Sequence, residues 1–142
     1  MWKIFPVLAL GLSSCSSEPA STPEPAAPSS DPCATDVANP TTVSLAALLA
    51  NPERFEGQSV GVIGFFHQGF EHSAIYLHRE DFVQSIKPNA LWVTGSSVPD
   101  GLSGRYARLE GIFTATQGGH LGQWSGTLCN VGRATPWGRD ES

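Results

Sequence analysis

Between positions 105 and 114, Ala107, Leu109 and Phe113 alternate with Arg108 and Glu110, the spacing of a strand with one buried and one solvated face. Four further stretches have the length and residue types of strands: 59–66, 73–78, 90–94 and 124–134. Turn signals separate them, namely Gln68 with Gly69, Pro88 with Asn89, and the runs GSSVPDGLSG and QGGHLG. Only SLAALLA, at 44–50, has helical spacing, with Ser44 at the N-cap position and Leu45, Leu48 and Leu49 on one side. Asn51 and Pro52 end it, because the residue before a proline is pushed out of the helical region. A helix of two turns does not stand alone, so its leucines must plug the end or side of a sheet. Gly57, Gly61, Gly64, Gly111, Gly126 and Gly132 fall in or beside the strands, where glycine marks bulges and tight bends. The pattern predicts a mainly all-β fold, a small five-stranded barrel with a short leading helix.

The ends of the chain read differently. Lys3 precedes an apolar run from position 4 to position 12, broken by Pro6 and Gly11 and followed by two serines. That run is shorter than the roughly 20 residues that span a bilayer, and it has the charged start, apolar middle and small-residue end of a secretory signal peptide. From 16 to 40 the chain carries Pro19, Pro23, Pro25, Pro28, Pro32 and Pro40 among small and acidic residues. Such a segment cannot offset its own ordering entropy and predicts a disordered, extended tether. The expected organisation is a signal peptide at 1–14, a tether at 15–40, one domain at 41–137 and a frayed tail at 138–142.

A domain of about a hundred residues excludes enzymes built on a large doubly wound sheet or an eight-fold barrel. The chain carries a net charge of -5, with the acidic excess mostly in tether and tail. No run of Lys or Arg occurs and only Arg105 and Arg108 lie close together, so the basic stripe that a nucleic-acid partner needs is missing.

Leu12, Ser13, Ser14 and Cys15 resemble the lipobox of bacterial lipoproteins. The resemblance implies cleavage before Cys15, acylation of that residue, and attachment to a membrane, with Ser16 favouring the outer membrane on its periplasmic side; several acyl chains on one residue make such attachment effectively permanent. Within the domain, Asn51, Pro52, Phe55 and Gly57, then Val60, Val62 and Gly64, then Gly119, His120, Gly122, Trp124 and Gly126 form a pattern. It resembles a group of small bacterial envelope proteins with an OB-like barrel. That resemblance implies the fold and a cell-envelope setting. The lipid supplies the membrane contact, and another envelope component, such as an envelope protein, or a small ligand is the expected partner.

Candidate chemistry is sparse. His120 and Trp124, in the run GGHLGQWSG, could line a ligand face together with an aromatic from the first strand. The plainer reading bonds the His120 imidazole to a backbone carbonyl and packs Trp124 on the barrel. Phe65 and Phe66 are neighbours on one strand and cannot both face inward, which places one of them, with Phe66 taken as the candidate, on an exposed patch. A metal set would need His67, Glu71, His72 and His120, yet no His-x-His pair occurs to put ligands on one strand face. No Gly-x-Ser-x-Gly elbow marks a nucleophile. Cys33 and Cys129 either pair, as an even count suggests in an oxidising compartment, or leave Cys129 buried and Cys33 free. The sequence therefore predicts a non-catalytic binding or assembly module with no cofactor. The alternative is a metal-binding or small hydrolytic domain built on His120 with His67, Glu71 or His72.

Overall fold

The computed structural model describes residues 31–95 and 98–138. The expected signal peptide, Cys15, the tether up to position 30 and the last four residues lie outside the described residues. The fold is mainly β, one six-stranded mixed sheet with two short α-helices, β1 (Thr41–Thr42), α1 (Leu45–Ala50), β2 (Ser59–Gly69), β3 (His72–Tyr76), α2 (Arg79–Val83), β4 (Ala90–Val93), β5 (Arg105–Thr114) and β6 (Thr127–Pro136). Six strands stand where five were expected, because Thr41 and Thr42 pair in parallel with Val60 and Gly61.

Each strand of the main set finds two neighbours. β2 pairs antiparallel with β3 and with β5, β3 with β4, β4 in parallel with β6, and β6 antiparallel with β5. The pairings β2, β3, β4, β6, β5 and again β2 thus run in a closed circuit. One register slip falls between Glu110 and Ile112, near Asn130 at φ 52, and it bends the β5–β6 pair as a bulge does.

Alternation along the strands separates two apolar layers. Val60, Val62, Phe66, Ile75, Leu91, Val93, Ala107, Leu109, Phe113, Leu128 and Val131 share the inner core with Leu45 and Leu48 of α1. The helix forms as its sequence predicts: Ser44 Oγ accepts from Ala47 N at 3.2 Å, and Asn51 and Pro52 stop it. Gly64 is required where Leu45 enters, because a Cβ there would stand 2.4 Å from the Tyr76 carbonyl oxygen. The other parity, Phe65, Ala74, Tyr76 and Ala90, forms a second buried cluster with Trp124, against which Phe82 and Trp92 pack.

The folded body starts before Thr41. Residues Pro32–Ala34 form a 3-10 turn, with Cys33 N donating to Asp31 Oδ1 at 3.0 Å, and Cys33 is bridged to Cys129 of β6. Asn130 Nδ2 donates to the Thr35 carbonyl at 2.9 Å and Ala38 N to Ser59 Oγ at 3.0 Å. The end of the proline-rich segment is thereby part of the domain, held by a covalent link that composition alone does not weigh. Among the described residues no helix is long and apolar enough to cross a membrane.

Candidate functional site

The outer face of the β2–β3–β4 side carries the unusual chemistry. The β2–β3 hairpin has a two-residue loop, Phe70 and Glu71, since Gly69 pairs with His72. Glu71 takes φ 52 to close it. His67, opposite Ala74, and His72, opposite Gly69, are therefore diagonal neighbours on one face, with ring centroids 4.9 Å apart. Phe82 of α2 stacks on His67 at 4.3 Å. Trp124, from the β5–β6 connection, meets His72 edge-on at 5.8 Å and Trp92 of β4 at 4.7 Å.

Polar atoms link these rings. His72 Nε2 and Tyr76 Oη are 2.9 Å apart. Tyr76 is buried, which pushes its hydroxyl pKa up, an effect the nearby indole of Trp124 opposes. The geometry between the two falls short of a hydrogen bond, and Trp124 Nε1 is the one buried side-chain N or O atom without a partner among the described residues. Burial, then the charges of His67 and Lys87, hold His72 below the ordinary histidine range. Lys87 Nζ stands 5.0 Å from the Trp124 ring centroid and donates to Gln123 Oε1. The helix α2 is fixed from below: the buried Asp81 accepts from His78 N at 3.0 Å and from Asn89 Nδ2 at 2.9 Å.

His120 lies apart from the other histidines, exposed in a 3-10 turn, with its ring 6.5 Å from Trp92. Gly119, at φ 63, lets the turn lie on Trp92: a Cβ there would stand 2.4 Å from that side chain. The expected metal set is thus divided, with His67 and His72 together and His120 elsewhere. Among the described residues no group of three or more His, Cys, Asp or Glu is placed to hold a metal ion.

Phe66 is corrected outright. It is fully buried in the inner core, and Phe65 points to the outer face yet is only 4% exposed. Neither is an exposed patch, because the outer face is roofed by α2 and the β5–β6 connection. The large apolar residues that reach solvent around this face include the tips of the flanking loops, Phe70 at 93% and Leu121 at 75% exposure, together with Val83, Ile86 and Tyr106. The residues missed at this site are Tyr76, Phe82, Lys87 and Trp92; β3 and β4 parity would have placed Tyr76 and Trp92 with Trp124.

An open depression of about 420 Å³ lies on another side, lined by Pro32, Thr35, Glu56, Gly57 and Thr116. Its carboxylate is occupied structurally, since Glu56 accepts from Thr114 Oγ1 at 2.7 Å and from Ala115 N at 2.6 Å. Comparisons with models of protein families, with curated proteins and with solved structures give no match to this chain.

Proposed function

We propose that this protein is a lipid-anchored, non-catalytic binding or assembly module of the bacterial envelope, held at Cys15 to the outer membrane and facing the periplasm. The closed circuit of β2 to β6 is read as an OB-like barrel, with β1 as an added edge and α1 closing one end. The observation that carries the binding role is the outer β3–β4 face, where Trp92, Trp124 and His72 lie between two loops ending in Phe70 and Leu121. In barrels of this type the first hairpin loop and the last interstrand loop flank the ligand face. Large, exposed apolar side chains at both loop tips are what a protein partner buries. The lipobox resemblance, the signal-like start and the proline-rich segment support the location.

Two tests follow. A photo-crosslinking residue at Leu121 in whole cells is expected to trap a discrete envelope partner, whereas one at Asn130, on β6, is expected not to; equal labelling at both positions contradicts the assigned face. The Cys15→Ala variant is expected to shift from the membrane to the soluble fraction on cell fractionation, since the acyl chains carry the attachment. Unchanged partitioning removes the anchor while leaving the binding face to the first test.

A further inference from the structure

We propose that His67, His72 and Lys87, crossed beneath Phe82 and Trp124, form an acid-operated latch: protonation of both imidazoles releases α2 and the β5–β6 connection from the outer face of the sheet. The latch needs no bound ligand and is independent of the proposed function.

The two roof elements rest on these three side chains. Phe82 anchors α2 by stacking on His67, and Trp124 anchors the connection by meeting His72 and Lys87. The Lys87 ammonium lies over the face of Trp124, where a cation is tolerated. One imidazolium stacked on Phe82 is tolerated in the same way. A second beside it is not.

Two reasons single out His72. Its ring is 4.9 Å from His67, so a doubly protonated pair places like charges side by side in a part-buried site next to Lys87. Its Nε2 also lies 2.9 Å from the hydroxyl of Tyr76, which is 1% exposed, and the neighbouring Trp124 Nε1 can only donate. A protonated His72 can only donate to that hydroxyl oxygen, so the Tyr76 proton loses the one nearby ring nitrogen able to accept it.

No carboxylate compensates. On α2, Asp81 is committed to His78 N and Asn89 Nδ2, and Arg79 and Glu80 are exposed. Glu71, beside His72 on the hairpin loop, is exposed, as is His120 beyond Trp92. From β5, Tyr106 Oη is engaged by Arg79 N at 3.2 Å; β4 contributes only the neutral Trp92. The sign of the pH effect follows. His72 binds its proton less readily in the folded protein than in the unfolded chain, so as pH falls below about 6.5 the unfolded state takes up more protons and the folded state loses stability. The loss continues down to the lowered pKa of the folded state.

Backbone amide exchange on the full-length protein tests this, read as protection factors at pH 7.5, 6 and 5 with the intrinsic pH dependence removed. Protection in α2 and in the connection around Trp124 is expected to fall at least tenfold from pH 7.5 to 5, while the β2–β5 amides hold. His67→Gln, which removes one of the two charges and keeps the Tyr76 bond, is expected to reduce that fall below threefold. Lys87→Met is expected to shrink the fall as well, because His72 in the folded protein then protonates more easily and the gap to the unfolded chain narrows. A wild-type protein without the fall, or the same fall in His67→Gln or in Lys87→Met, overturns the latch.

Discussion

Removing the Cys33–Cys129 bridge is expected to cost about 4 to 5 kcal/mol of stability in the loop-entropy account. The bridge spans 96 positions, nearly the whole domain, so it removes much of the freedom of the unfolded chain. Cys33→Ala is the cleaner substitution, since Cys33 is partly exposed while Cys129 is buried against the end of β5. The bridge's neighbours are expected to loosen with it, because the Asn130 bond to the Thr35 carbonyl lies one residue from Cys129. For a small domain whose stability falls by roughly 1 to 1.5 kcal/mol per molar urea, the unfolding midpoint should drop by about 3 to 5 M. Reductant added to the unmodified protein should reach the same midpoint. A midpoint that neither treatment moves contradicts a formed bridge.

Truncating the two adjacent phenylalanines should produce two large losses from opposite sides of one strand. Phe66→Ala is expected to cost about 3 to 5 kcal/mol, the range for emptying a closed core site. Phe66 has no exposure and belongs to the inner core. Phe65→Ala is expected to cost at least about 2 kcal/mol from lost burial alone, since its ring meets Phe82 at 5.5 Å and Tyr106 at 5.7 Å. Denaturant midpoints measure both. The Phe65 variant should also raise amide exchange in α2 selectively, whereas the Phe66 variant should destabilise every element together. A Phe65→Ala protein as stable as the parent contradicts the roofed outer face.

The strands were readable in the sequence because their alternation reports burial directly. Four of the five expected strand starts fall within one residue of those observed, and β6 starts three residues late because Trp124 to Gly126 belong to the loop. Period-two reasoning tells which residues oppose each other, but not whether the outward set meets water. Phe65 and Phe66 show the gap: their opposite directions were legible, and the second layer that buries Phe65 was not. That layer depends on α2, whose five residues carry no apolar repeat and whose start is marked by His78 with Asp81, an atypical pairing for a helix N-terminus. The parallel contact of Thr41 and Thr42 with β2 has no local signal either, since both residues are exposed. His67 and His72 illustrate the same limit at the site. A spacing of five is meaningless on one strand, yet a two-residue hairpin loop brings positions five apart onto one face, and loop length is what the sequence leaves undetermined here.

The circuit of strand pairings is completed only by β6. It is the sole partner of β4 on one side and of β5 on one side, and it carries Cys129 as well. Until residues 127–136 are in place, both β4 and β5 expose unpaired backbone, and the thiol of Cys33 has no native partner. The domain therefore completes its fold only once β6 is present, through long-range pairing, which is slow. A chain arrested before residue 127 would present two sticky edges instead of a body.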